Sequence, residues 1–290
     1  MGIHIVLYCL SYCLLVLPQG GNMNFKKLGM AAMGALLAAS LGACAQSAGS
    51  AQSSATGQNG ESKVYTIATD TAFAPFEFAD ANGKYEGIDI KLLDAIAKDQ
   101  GFEYQLNPVG FDAALQNVQA GQADGVIAGM SVTEERKKVF DFSEPYYDST
   151  VCCAVKDTNI KSLEDLKGKN VAVKNGTQSQ KWAESLKDQY GYTITTFDTS
   201  DVMYQDVDAG SSAACFEDTP VMSYAISTGN VKLNIIDEVD ATSEYATPYA
   251  FAVNKGQNAE LLKKFNDGLQ NIKNNGTYDT IISEYVKGAK

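Results

Sequence analysis

The chain has 290 residues, 45% hydrophobic and 20% charged, a mixture able to bury a sizeable core at a length that suits two ordinary domains. A formal net charge of -12 at pH 7 argues against nucleic acid or an anionic membrane surface as the partner. The one histidine, His4, falls in the N-terminal segment read below as removed, so the mature chain offers no Ser-His-Asp triad, no Cys-His dyad and no histidine-ligated metal; no metal and no cofactor is expected.

Two apolar runs open the chain. Residues 3–17 have no Lys or Arg ahead of them, whereas Met23-Asn24-Phe25-Lys26-Lys27 gives a positive start to the run 28–39, the pattern of an export signal. Both are shorter than the ~20 residues of a comfortable membrane span. Residues 1–22 therefore read as lying upstream of a true start at Met23, the alternative being a genuine first anchor. Leu41-Gly42-Ala43-Cys44 then resembles the lipobox of bacterial lipoproteins, which makes Cys44 the expected lipid anchor; an ordinary cleavage site with an incidental cysteine is the alternative. Residues 45–61 hold only Ala, Gln, Ser, Gly, Thr, Asn and one Glu, nothing bulky to bury, and are expected to behave as a flexible coil averaging roughly 20 to 25 Å end to end.

From there strand and helix signals alternate. Residues 64–69 read as a strand running into the loop Asp70-Thr71-Ala72-Phe73-Ala74-Pro75-Phe76-Glu77-Phe78. In open α/β sheets ligands bind outside the carboxyl ends of strands, so Asp70 and Phe73 are candidate site positions. Asn82-Gly83 marks a hairpin turn, and apolar residues at 88, 92, 93 and 96 with Gly101 behind them mark an amphipathic helix over 88–100. A strand over 102–106, a helix over 112–120 closed by Gly121 and a buried strand over 125–128 follow.

Next comes Arg136, the only arginine; every other basic side chain is lysine. A planar fork of five donors is what bidentate capture of a carboxylate requires. Thr133 reads as the N-cap of a helix with Arg136 in its first turn, so strand end, loop and helix start face one point. A surface arginine in a run with Glu134, Glu135, Lys137 and Lys138 is the alternative.

An aperiodic aromatic segment, 140–149, interrupts the pattern before it resumes. Expected are a strand over 150–156, a short helix over 162–167 with a capping box of Ser162 and Asp165, and a strand over 170–173. The loop Lys174-Asn175-Gly176-Thr177-Gln178-Ser179 and a helix to about Gln189 repeat the strand, loop, helix start seen at Arg136. Strand 192–197, helix 200–209, strand 213–216 and helix 219–227 continue, the last begun by Pro220 at its first position. Strands over 231–236 and 249–253 flank a second extended segment, Glu244-Tyr245-Ala246-Thr247-Pro248, and helices over 258–274 and 277–286 end the chain. Two extended segments bracketing about 150–243 suggest a second domain inserted into the first. Cys152 and Cys153 fall on opposite faces of their strand; buried small apolar residues is the reading for them and Cys215, with a disulfide from Cys215 to either left open.

Taken together, the chain resembles the solute-binding proteins of polar amino-acid ABC transporters, glutamine-binding members above all, over about 62–288. The motifs are Ala68-Thr69-Asp70-Thr71-Ala72-Phe73-Ala74-Pro75-Phe76-Glu77-Phe78, Gly87-Ile88-Asp89, 128–136, Asp141-Phe142-Ser143, Val173-Lys174-Asn175-Gly176-Thr177, Asp218-Thr219-Pro220 and Asn275-Gly276-Thr277-Tyr278. The resemblance implies an α/β, two-lobed periplasmic-binding-protein-like fold (type II), each lobe a mixed sheet flanked by helices and joined by a two-strand hinge. Lobe 1 would comprise 62–148 plus 245–290 and lobe 2 149–244, behind a signal region 1–43 and a lipidated linker 44–61. It implies a monomer that is no enzyme: an L-amino acid is bound, glutamine favoured, and delivered to ABC permease subunits at a membrane reached through the lipid anchor.

Carried over by position, Arg136 would grip the ligand α-carboxylate with Ser131 and the Thr177 loop, beside Gln178. Asp218 and the Gly129 carbonyl would receive the α-ammonium. Phe73 and Phe111 would sandwich the side chain, with Asp70 at its polar tip and Lys174 within reach. Two departures stand out: Glu217 replaces a histidine of the glutamine-binding members, and Gln178 a glycine-like position. A carboxylate at 217 near the side-chain end would favour a cationic tip, so arginine or lysine competes with glutamine. An enzyme of the dehydratase type or a receptor without transport on the same fold are the further alternatives.

Overall fold

The computed structural model describes residues 63–286, so the expected export signal, the Cys44 anchor and the linker lie outside the described residues. In chain order the first part comprises β1 (Val64–Thr69), β2 (Ala72–Phe73), β3 (Glu77–Ala79), β4 (Tyr85–Glu86), α1 (Ile88–Gln100), β5 (Glu103–Pro108), α2 (Phe111–Gln119), β6 (Gly125–Val126) and β7 (Phe140–Phe142). A middle part follows: β8 (Val151–Val155), β9 (Asn170–Lys174), α3 (Gln178–Tyr190), β10 (Thr193–Phe197), α4 (Ser200–Asp208), β11 (Ala214–Asp218), α5 (Thr219–Ser227) and β12 (Asn234–Glu238). The chain ends in β13 (Ala252–Asn254), α6 (Ala259–Asn274) and α7 (Thr277–Tyr285).

Two five-stranded mixed sheets result, ordered β5-β1-β6-β13-β7 and β10-β9-β11-β8-β12, with a small sheet β2-β3-β4 beside the first. In each large sheet the central strands run parallel, β1 with β5 and β6, β9 with β10 and β11, while strands entering from the linking segments pair antiparallel. Parallel strands with helices on both faces leave their carboxyl ends open, and those ends carry Asp70, Lys174 and Asp218. The fold class is the α/β two-lobed architecture that the resemblance implies.

Alternation along the strands sorts side chains between two cores per sheet. Ile67 joins α1, α6 and α7 in one cluster while Ala68 joins Phe111, Ala114 and Val118 of α2 in another. In the second sheet Val171, Val173 and Phe216 pack on Trp182 of α3, whereas Ala172 and Cys215 pack on Met203, Tyr204 and Val207 of α4. Cys152 and Cys153 fall on opposite faces in the same way, and they and Cys215 are free, fully buried thiols with their pKa values pushed up by burial. Helix α1 owes its ends to Gly101, which takes the left-handed conformation at the C-cap. Gly268 lets α6 approach closely, since a Cβ there would sit 2.8 Å from Ile96 Cγ2.

The chain crosses between the sheets twice, between β7 and β8 and between β12 and β13. At the crossing Tyr249 forms single bridges to Ser131 and Tyr147, so the strand expected over 249–253 is regular only from Ala252. Two further expectations change. The strand at 125–128 shortens to two residues, and the helix behind Thr133 is one 3₁₀ turn, Arg136–Lys138, although Thr133 Oγ1 does accept from the Arg136 N–H at 3.2 Å. Among the described residues no helix is long and apolar enough to cross a membrane.

Candidate ligand-binding site

The carboxyl ends of β1, β6, β9 and β11 and the starts of α2 and α3 meet around one small enclosed space. Phe73, Phe111, Ala128, Gly129, Ser131, Arg136, Lys174, Thr177, Gln178 and Asp218 line it. It measures about 10 Å³, room for roughly one water.

On one wall, Arg136 Nη1 donates to the Ser131 carbonyl at 2.8 Å and Nη2 to the Gly176 carbonyl at 2.9 Å, with the guanidinium 5.2 Å from the centre of the Phe111 ring. Burial pushes its pKa down to about 10, opposed first by Asp218, so the group stays charged at neutral pH. Thr177 caps α3 by accepting from the Gln180 N–H at 3.1 Å and donates to the Lys174 carbonyl at 2.8 Å. The amino end of a 13-residue helix, with its orphan N–H groups, therefore faces the same space as the guanidinium.

Opposite charge stands across from them. Asp218 is 3% exposed; its Oδ2 accepts from the Tyr249 hydroxyl, while its Oδ1 is buried without a hydrogen-bond partner. Burial, then the neighbouring Glu217, pushes its pKa up to about 7. Gly129 adopts φ +52, and a Cβ there would run into the Phe73 ring, so only glycine lets turn and ring coexist. Its N–H is held by Asp89 Oδ2 at 2.8 Å.

At the remaining end, Lys174 Nζ forms an ion pair with Asp70 Oδ2, both side chains 1% exposed. The ammonium lies 4.4 Å from the Phe73 ring centre and 5.8 Å from that of Phe111. Burial pulls the lysine pKa down, but Asp70 and then Glu217 outweigh it and the net shift is upward. Phe73 and Phe111 thus flank a cation that belongs to the protein itself. Asp70, bound also to the Thr71 N–H at 2.6 Å, sits behind that cation and does not line the space.

Glu217 is not brought to the space either. Successive strand residues face opposite sides, so when Asp218 turns toward Arg136 its neighbour turns onto α4. There the Glu217 carboxylate accepts from Ser200 Oγ at 2.6 Å, the Tyr204 hydroxyl at 3.0 Å and the Asp218 N–H at 2.9 Å. The expectation of a carboxylate at 217 beside the side-chain end is corrected accordingly; its charge acts on Lys174 and Asp218 from behind the site without lining it. Sequence reasoning missed Tyr249, whose hydroxyl links Asp218 to Ser149 Oγ at 3.0 Å, and Ala128. Nothing in their local pattern marks them, since both read as ordinary strand residues.

Residues 65–288 match the family model described as bacterial extracellular solute-binding proteins, family 3. The chain belongs to that family. Among curated relatives of this family 3 protein is a probable histidine-binding protein of Neisseria gonorrhoeae, 31% identical over 266 residues, 91% of this chain and 96% of that one. Substrate binding domain 2 of Lactococcus lactis GlnP, solved in an open conformation, is 44% identical over 79% of this chain and 98% of that one, with a TM-score of 0.57. An ancestral arginine-binding protein has been solved with arginine (39% identity, TM-score 0.70) and with glutamine (38% identity, TM-score 0.69), each covering 77% of this chain and 97% of that one.

Proposed function

We propose that the space between the lobes binds the zwitterionic end of one L-amino acid and that glutamine is the preferred ligand. The observation that carries the reading is the pairing of Arg136 and the α3 amino end with an Asp218 whose Oδ1 has no partner, inside one enclosed space. A carboxylate would take the guanidinium with Ser131 and Thr177; an ammonium would take Asp218 Oδ1 and the Gly129 carbonyl. The side chain would then run between Phe73 and Phe111 to the Lys174–Asp70 pair.

That pair supports glutamine over a cationic ligand. A lysine ammonium already stands on Asp70, so an arginine or lysine tip would have to displace it or lie beside a like charge. An amide has an acceptor for Lys174 and donors for the carboxylate behind it, and leaves the buried ion pair intact. With both a cation and an anion available, the site admits arginine as second choice, as the ancestral relative solved with either ligand illustrates.

The lobes, taken as 62–148 plus 245–290 and 149–244, would close about the two crossings near Tyr147 and Tyr249. A monomer tethered through lipidated Cys44 and the 45–61 linker would then present the amino acid to the permease of an ABC transporter outside the cytoplasm, catalysing nothing. Calorimetric titration against the twenty amino acids tests the reading: glutamine should bind tightest and be recovered unchanged, whereas arginine binding tenfold tighter than glutamine would overturn the preference.

A further inference from the structure

Beneath the Gly129 turn lies a second cluster of acids that the binding chemistry does not use. Glu77 on β3 and Asp89 in the first turn of α1 are both fully buried, and the Asp89 N–H donates to the carbonyl of Phe76, the residue before Glu77, at 2.9 Å, which makes the two acids neighbours. Their donors are unequally shared. Asp89 Oδ2 accepts from the Gly129 N–H and from the Tyr146 hydroxyl, each at 2.8 Å. Three oxygens, Glu77 Oε1 and Oε2 and Asp89 Oδ1, have no partner. Two ionised carboxylates side by side out of water, with three oxygens unsatisfied, would be strongly unfavourable.

We propose that Glu77 and Asp89 hold one proton between them, Glu77 as its carrier and donor and Asp89 as the charged acceptor, and that this pair positions the Gly129 turn of the binding site. A proton on Glu77 directed at Asp89 Oδ1 gives a partner to an oxygen on each residue. The division of roles follows from surroundings. Asp89 sits at the amino end of a 13-residue helix, where the dipole favours an anion, and receives two donors; Glu77 receives none. The groups facing Glu77 are Asp89, Asp70 and, opposing them, Lys174; those facing Asp89 are Glu77 and Tyr146. Burial, with Asp89 and Asp70 behind it, holds the Glu77 pKa well above its ordinary range, and burial raises that of Asp89 to about 6, so at neutral pH the pair carries a single proton and a single charge. The charged member then ties the Gly129 turn, which lines the site, to Tyr146 in the segment between β7 and β8, so the turn and the crossing are held by one carboxylate.

Gly129's part in ligand binding rests on the site proposed above, but the test is made on the ligand-free full chain and does not depend on which ligand binds. Infrared difference spectra at pH 8 should show a protonated-carboxyl C=O band that E77Q lacks. In the wild-type protein the Gly129 amide resonance should titrate with a midpoint near pH 6, and in D89N that titration should vanish. E77Q should also flatten stability against pH. With Glu77 raised above its ordinary 4.5, the stability its neutral form contributes is full below that pH and drains away as pH rises toward the folded value. Absence of the band in the wild type, or a Gly129 amide indifferent to pH between 5 and 7, overturns the proposal whether or not the variants fold.

Discussion

Replacing Lys174 with methionine should invert the ligand preference. The lysine sits at the end of β9 in one large sheet and its partner just after β1 in the other, so the ion pair joins the two sheets, and on the proposed closure about the crossings it forms as the lobes come together. Both side chains are 1% exposed, so water screens the pair little. Removing one partner of a desolvated, hydrogen-bonded pair commonly costs about 2 to 5 kcal/mol, because the other charge is left alone. That is roughly thirtyfold to several thousandfold in an equilibrium constant, and here it falls on the closed, ligand-holding state. Lys174→Met is therefore expected to weaken glutamine by at least about thirtyfold, since the Asp70 charge is left with the Thr71 N–H and a neutral amide in place of a cation. An arginine or lysine ligand brings its own cation to Asp70 between the two phenylalanines and should lose far less, so that it becomes the tighter binder. Calorimetric titration of both proteins with glutamine, arginine and lysine decides the matter. Equal losses for all three ligands, or glutamine held within threefold of wild type, would refute the reasoning.

Four more outcomes are expected. Arg136→Lys keeps the charge but cannot hold the Ser131 and Gly176 carbonyls while presenting a fork, and should weaken binding at least about tenfold in the same titration. Ligand affinity should fall as pH drops below about 7, where Asp218 takes up a proton and can no longer receive an ammonium, and Asp218→Asn should bind weakly at every pH with that dependence gone. The ligand-free fold responds with opposite sign: a carboxyl raised from 3.8 to about 7 contributes stability that is full below 3.8 and lost as pH rises to 7, which thermal melts across that window would show. Cys44→Ala should release the protein from membranes with binding intact, and fractionation with a ligand assay measures both.

How far the sequence could be read depended on whether the deciding contact was local. Helix α1 is bounded where its apolar spacing and Gly101 place it, and α5 begins where Pro220 and the preceding Asp218 and Thr219 put it, because caps and periodicity are short-range properties. The capping box of Ser162 and Asp165 forms as read, on a 3₁₀ turn. Strands fared less well. A two-residue β6 and a β13 that starts three residues late are set by partners from distant segments, so no local run of residues marks them.

The same division holds in the site. Arg136 stands out as the sole arginine, and Thr177 and Asp218 occupy cap and strand-end positions that a sequence displays. The Lys174–Asp70 pair joins residues 104 apart, and its consequence, a resident cation between Phe73 and Phe111, could not be read from either loop alone. Glu217 was misplaced for a simple reason: adjacency to Asp218 in the chain means opposition on a strand. The orphaned oxygens of Glu77 and Asp89 are likewise visible only once β3, α1 and the Gly129 turn have met.

The central claim, that one enclosed space grips both ends of an amino-acid zwitterion, is tested most directly by titrating the protein with glutamine, with 4-aminobutanamide, which lacks the α-carboxylate, and with glutaramic acid, which lacks the α-ammonium. Each truncated analogue leaves a buried charge unpaired, Arg136 in one case and Asp218 in the other, and losses of at least about thirtyfold are expected for both. Binding of either analogue within threefold of glutamine would contradict the account.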